Sequence, residues 1–116
     1  MATVSSILIN PVAEEPGQSL DSVAVGVEGL DGDRRKGSPV HLVTASDYVL
    51  SHPRANLVID IDTVGLEALV GCRLRIGEVE LEVTGPARGC PGVYADVPVP
   101  GTLSVGDEVT VGSPAS

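Results

Sequence analysis

Residues 72–84 constrain the fold more than any other stretch of the chain. Ile76-Gly77-Glu78-Val79 sets glycine first in a two-residue loop, the arrangement a type II′ hairpin turn requires. That register pairs Ile76 with Val79, Leu74 with Leu81 and Cys72 with Val83 on one face. On the other face it sets Arg75 against Glu80 and Arg73 against Glu82. A slip of one residue would carry the apolar set to the solvent side and bring the charges inward, so both faces select the same pairing. A lone hairpin is marginal in water, and this one needs further strands to cover its apolar face.

The rest of the chain supplies them. It has 116 residues, with 19 valines, 14 glycines and 9 prolines, and no Phe or Trp. β-Branched residues punctuated by turn formers favour short strands over long helices, so the core must be built from Val, Leu and Ile. The length suits one domain over 1–116.

Read in order, 3–9 is a strand closed by Asn10-Pro11, 12–20 is a loop, and 23–27 alternates as a second strand. A glycine-rich charged segment, 28–37, leads to a short strand over 40–43. Thr44 caps a short helix to about Ser51, which Pro53 ends. A strand over 57–61 and one or two helical turns to Leu69, stopped by Gly71, precede the hairpin. Beyond it, 93–97 is a strand bounded by Pro98 and Pro100, 108–111 is the last strand, and 112–116 frays. The expected fold class is mostly β: a small barrel of seven or eight short strands with two short helices.

Charge narrows the partners. Sixteen acidic residues against seven basic ones give a net charge of −9, and only Tyr48 and Tyr94 are aromatic. Phosphate neutralisation and base stacking are both poorly served, so no nucleic acid is expected as partner. No run has membrane-spanning length. The first residues lack the basic and long apolar regions of a secretory signal, and two cysteines do not make a disulfide framework. The expected setting is the cytoplasm, away from membranes and with reduced thiols.

The two cysteines differ. Cys72 falls on the inward face of the hairpin, where a small apolar side chain fits the core. Cys90 stands in Gly85-Pro86-Ala87-Arg88-Gly89-Cys90-Pro91-Gly92, a non-repetitive segment shaped by three glycines and two prolines. Arg88, two residues before it, favours a thiolate. Arg34-Arg35-Lys36 is the one basic run. It reads either as a solvated loop balancing Asp31 and Asp33 or as an edge that binds an oxyanion. Asn56 is either a loop amide or a polar ligand contact. His41, inside a strand, and His52, before Pro53, read as structural or solvent-facing. Neither C-x-x-C nor H-x-x-x-H occurs, so the spacing common in zinc sites is missing.

The order of these segments resembles the MOSC domain, named for the C-terminal domain of molybdenum cofactor sulfurases. The matching pieces begin with Gly29-Leu30-Asp31-Gly32-Asp33-Arg34, Asn56-Leu57-Val58-Ile59 and Leu69-Val70-Gly71-Cys72-Arg73-Leu74-Arg75-Ile76-Gly77. They continue with Leu81-Glu82-Val83-Thr84-Gly85-Pro86 before Cys90, Gly92-Val93-Tyr94-Ala95-Asp96-Val97, Pro100-Gly101 and Val105-Gly106-Asp107-Glu108-Val109. Together they cover about 23–111.

The resemblance implies a MOSC-type β-barrel whose characteristic cysteine is Cys90. In that family the cysteine is thought to carry sulfur as a persulfide or to ligate the metal of a bound molybdenum cofactor. It implies here a sulfur carrier for maturation of the molybdenum cofactor or a metal–sulfur centre. Its partners would be a cysteine desulfurase, which brings its own pyridoxal phosphate, or a molybdoenzyme maturation protein. Arg34, Arg35, Asn56 and Arg88 would serve an anionic group or the thiolate. Two other readings stand beside it: a molybdenum-cofactor-dependent reductase of N-hydroxylated compounds, with Cys90 as metal ligand, and a non-catalytic binding module. As an enzyme the protein would be a sulfur transferase or a molybdenum-dependent oxidoreductase. One departure is plain: family members commonly have a longer segment after the cysteine, whereas here Pro91 alone separates Cys90 from Gly92.

Overall fold

The computed structural model describes residues 2–10, 18–33, 39–51, 55–61, 63–87 and 92–114. Its strands are β1 (Val4–Ile9), β2 (Gln18–Leu20), β3 (Ser22–Gly26), β4 (Gly29–Leu30), β5 (Val40–Thr44), β6 (Leu57–Ile59), β7 (Cys72–Ile76), β8 (Val79–Pro86), β9 (Val93–Val99), β10 (Gly101–Ser104) and β11 (Val109–Pro114). Two short helices, α1 (Ala45–Ser51) and α2 (Thr63–Glu67), join β5 to β6 and β6 to β7. The fold is mostly β, as the composition requires.

Eight strands form one sheet in the order β11-β7-β8-β9-β5-β6-β1-β2, and β10-β3-β4 form a second. The large sheet curls until its ends approach. Thr3 and Glu108 make an isolated bridge, the Val4 amide donates to the Asp107 carbonyl at 3.0 Å, and the Val109 amide donates to that of Ala2 at 2.9 Å. Among the described residues no continuous ladder joins these ends. The expected barrel is therefore a curled sheet that stops short of closure.

The hairpin forms in the predicted register, with Arg73 opposite Glu82, Leu74 opposite Leu81, Arg75 opposite Glu80 and Ile76 opposite Val79. Gly77 has φ of 58°, and a Cβ there would lie 2.9 Å from the Thr102 carbonyl oxygen. The turn therefore needs glycine for its conformation and for its neighbour. Leu74, Ile76, Val79 and Leu81 are buried, whereas Cys72, at the strand end beside Pro114 of β11, is only half-buried.

Several elements depart from expectation for local reasons. Part of the 12–20 loop, Gln18–Leu20, is strand β2, which pairs with the second half of β1. Gly29–Leu30 and Gly101–Ser104 also pair as strands, although their glycines and short length hide any alternation. Strand β9 runs through Pro98 to Val99. Pro98 is tolerated because β5 pairs only with Val93–Ala95, and the β8 register shifts between its contacts at Asp96 and Val99. Strand β11 likewise continues to Pro114, into the segment read as a frayed tail.

The core has two parts. The main one lies inside the curled sheet and includes Ile7, Leu42, Leu57, Ile59, Leu74, Ile76, Leu81 and Leu103. The smaller one, Leu8, Val43, Ala55 and Val58, lies on the other side of the sheet, with Ala45 and Tyr48 of α1 packed against it. Strands β5 and β6 run parallel between the two. Both faces of these strands are covered, so they read as near-continuous apolar runs instead of alternating. The Thr44 hydroxyl caps α1 by accepting the Asp47 amide proton at 3.0 Å, as expected. Among the described residues no helix is long and apolar enough to cross a membrane.

Candidate functional site

The cysteine segment is mounted on the sheet through its two ends. Strand β8 stops at Pro86, opposite Val93, and the Ala87 amide donates to the Gly92 carbonyl at 3.0 Å. Between them lie residues 88–91; Arg88 and Cys90 fall outside the described residues. Gly92 is seated hard against β5. Its φ is 100°, and a Cβ there would lie 2.2 Å from the Leu42 carbonyl oxygen, 2.7 Å from Val43 Cγ1 and 3.0 Å from His41 Nε2. Only glycine satisfies both that conformation and that approach.

His41, read as structural or solvent-facing, is buried on this mount. Its ring meets Tyr94 edge-on, with centroids 5.2 Å apart and planes at 69°, in register with it across β5 and β9. One imidazole therefore packs both the return of the cysteine segment and the aromatic side chain two residues further on.

The second set of candidates starts from Asp33. Its carboxylate accepts the Asn10 backbone amide proton at 2.6 Å through Oδ1 and Asn56 Nδ2–H at 2.9 Å through Oδ2. Arg34 and Arg35 follow directly in sequence and lie outside the described residues. Asn56 is fully buried and its side chain is turned inward. Nδ2 also reaches the Leu8 carbonyl at 3.4 Å, and Oδ1 accepts the His41 amide proton at 2.9 Å. The main chain adds Asn56 N–H to the His41 carbonyl at 2.8 Å and Leu8 N–H to the Asn56 carbonyl at 2.7 Å. One amide thus joins β1, β5, β6 and the base of the basic segment.

The geometry brings together the bases of two segments that the sequence marked separately. Asp33 binds Asn56, Asn56 binds His41, and His41 packs on Gly92. Asp33 and His41 were the members that sequence reading passed over. Asp33 stood as a charge balancing Arg34 and Arg35, and His41 as one polar residue in an apolar run. The juxtaposition depends on contacts over 15 and 23 residues, for which no local pattern exists. Next to Asp33 an open cleft of about 630 Å³ runs along the small sheet, walled by Gly26, Gly29, Asp31, Gly101 and Thr102. The buried Nδ2 of Asn10 has no hydrogen-bond partner among the described residues. No group of three or more His, Cys, Asp or Glu side chains among them is placed to hold a metal ion.

Comparison with known proteins agrees with this architecture at the level of fold. No protein-family model matches the chain, and no curated protein matches it by sequence. Solved structures do. The YuaD protein from Bacillus subtilis superposes with a TM-score of 0.76 at 16% identity, covering 95% of this chain and 94% of that one. YiiM from Escherichia coli gives 0.74 at 16% identity, covering 100% of this chain and 72% of that one. YiiM from Geobacillus stearothermophilus gives 0.74 at 12% identity, covering 97% and 76%. These neighbours have MOSC-type folds, and at such identities the likeness speaks for fold alone. The chain has a mostly β fold of the MOSC type, in agreement with the order of its sequence motifs.

Proposed function

We propose that this protein is a sulfur carrier in which Cys90 holds sulfane sulfur as a persulfide. The observation that carries the reading is the mount. A four-residue connection containing the cysteine leaves and rejoins the sheet at one hydrogen-bonded pair, Ala87 and Gly92, and its return is locked on a strand buried on both faces. Both ends of the segment that carries the thiol are thereby fixed to the sheet.

The chemistry is thiol–persulfide exchange. The Cys90 thiolate attacks the outer sulfur of a persulfide on a cysteine desulfurase. A new S–S bond forms at Cys90 as the donor's S–S bond breaks, and the donor leaves as a thiolate. No net oxidation or reduction occurs. Arg88, two residues before Cys90 in sequence, favours the attacking thiolate by its charge, and Arg34 and Arg35 attract anionic groups. The molybdenum cofactor or a metal–sulfur centre under assembly enters as the acceptor of that sulfur, and pyridoxal phosphate stays with the desulfurase.

The test is direct. Incubation with a cysteine desulfurase and cysteine should add one sulfur atom to the intact protein, localised to Cys90 by peptide mass and removed by dithiothreitol. Equal uptake by Cys90→Ser would end the proposal. Molybdenum and a pterin co-purifying from a host that makes the cofactor would favour the reductase reading instead.

A further inference from the structure

We propose that the outer edge of β11 is a docking site for a second copy of this chain, the two β11 strands pairing antiparallel about a two-fold axis. The inference is independent of the role of Cys90. Strand β11 is one end of the large sheet and pairs as a ladder with β7 alone. The Val109 amide donates to the Ala2 carbonyl, so it points away from β7. Pairing with β7 is regular from Val109 to Val111, and backbone direction alternates along an antiparallel strand. The N–H and C=O of Val111 therefore also point away from β7, beyond the last contact with Ala2. The side chain agrees: Val111 is in register with Leu74 on the core-side face, yet it is 52% exposed and Leu74 is 1% exposed. A strand missing from the outer side of β11 accounts for that difference.

The other sheet edges are short or covered. Strand β2 has three residues and β4 has two. Strand β4 also backs onto residue 39, since a Cβ on Gly29 would lie 2.5 Å from the Pro39 carbonyl oxygen. On β10 the Thr102 carbonyl accepts the Glu78 amide proton at 3.1 Å, and the Thr102 amide donates to Glu78 Oε1 at 3.2 Å. Exposed edges are ordinarily guarded by charge, proline or a bulge. In β11, Pro114 and the register shift after Val111 guard only the far end, and 109–116 carries no charged residue.

Charge and symmetry select the occupant. Thirteen of the sixteen acidic residues, but only two of the seven basic ones, Arg73 and Arg75, are among the described residues. Two copies therefore repel across most of that surface, and the uncharged edge is where they approach at least cost. A two-fold axis lets each strand offer the other the same donors and acceptors that it lacks. The regular stretch is short, so the association is weak, at the low end of specific interfaces. Its salt dependence has a defined sign. Screening removes the repulsion between two acidic bodies and leaves main-chain hydrogen bonds in place, so salt strengthens the pairing.

Sedimentation equilibrium of the full chain at rising concentration, in low and in high salt, is the test. It should show a monomer–dimer equilibrium whose dimer fraction grows with protein and with salt, and exchange of the Val111 amide proton should slow in parallel. Val111→Pro removes the outward N–H and leaves the amides that face β7 in place. Two hydrogen bonds per dimer are lost, so dimerisation should weaken by about tenfold or more, while the folded monomer persists by circular dichroism. If Val111→Pro does not fold, Val111→Glu gives the same comparison by setting like charges across the two-fold axis. A protein that stays monomeric at every concentration in both salts would overturn the inference, as would a dimer equally tight in the variant. A dimer that weakens in salt would also overturn it, because the contact would then be made by opposite charges, as on the polar face of β7 and β8.

Discussion

The β7–β8 hairpin and the junction around Asn56 are both places where the main sheet fixes its register, and they do so by different means. In the hairpin the information is distributed over many residues. Four side-chain pairs alternate in and out around a two-residue turn, and any one pair could be weakened without changing the register. At the junction it is concentrated. One buried side-chain amide, directly before β6, bonds to the main chain of β1 and β5 and also reaches Asp33. Distributed pairing should tolerate conservative replacement. A single hydrogen-bonding hub should not, because each lost partner is left buried and unsatisfied.

The strongest way to break this contrast is through the two glycines that anchor the regions. Gly92 and Gly77 both have positive φ, but a Cβ at Gly92 meets the backbone oxygen of Leu42 at 2.2 Å. At Gly77 the tightest contact is the side-chain oxygen of Asp107 at 2.6 Å, which can move by giving up the Ser104 amide proton it accepts at 2.8 Å, ahead of the Thr102 carbonyl at 2.9 Å. Gly92→Ala should destabilise by about 3–4 kcal/mol and Gly77→Ala by about 1–2 kcal/mol. Urea denaturation of both variants measures the difference. The reverse order would mean that the β5–β9 mount yields more easily than the hairpin turn.

Next in size is a comparison of near-isosteric changes. Leu81→Met, on the buried face of the hairpin, should cost less than about 1.5 kcal/mol. Asn56→Asp changes the volume just as little, yet sets a buried carboxylate against that of Asp33. About 3 kcal/mol should be lost at neutral pH, as for a buried charge without a partner. The pH dependence has a defined sign. Burial and a like charge raise the folded-state pKa of the new carboxyl above its unfolded value, so its neutral form is favoured in the fold. Its stability deficit should then narrow as pH falls from about 7 towards about 4 and widen as pH rises. A deficit that does not change with pH would show that the carboxylate has escaped to solvent.

The same contrast explains what the sequence could reveal. The hairpin and the Thr44 cap are written in neighbouring residues, where period and turn chemistry operate, whereas the second helix ends at Glu67, short of the Gly71 stop. Strands β2, β4 and β10 were missed because two to four residues cannot display a period, and their pairing is decided by partners elsewhere in the chain. Asn56 was singled out, but its environment was not legible. A buried hub and an exposed ligand contact are the same letter before a strand, and only the approach of Leu8, Asp33 and His41 distinguishes them. Gly92 was visible as one glycine among three in the segment 85–92, and the nearness of β5 that makes it irreplaceable belongs to the tertiary structure. Burial of His41 follows from β5 lying between two apolar clusters, which a single strand cannot announce.

The smallest expected effect tests whether the hairpin's polar face contributes to register at all. Arg75 opposes Glu80, and Arg73 opposes Glu82, but Glu82 is also in register with Asp96 on the neighbouring strand β9. Opposite charges in cross-strand register contribute about 0.2–1 kcal/mol, and like charges there oppose by a similar amount. Glu80→Gln should therefore lose about 0.5 kcal/mol. Glu82→Gln should lie near zero, because it removes an attraction to Arg73 and a repulsion from Asp96 together. Adding Asp96→Asn gives the decisive comparison: with the repulsion gone, Glu82→Gln should become as unfavourable as Glu80→Gln. Both differences should shrink in high salt. If Glu82→Gln is as costly as Glu80→Gln while Asp96 is intact, the charges on β9 do not reach the hairpin, and its polar face is read by two strands alone.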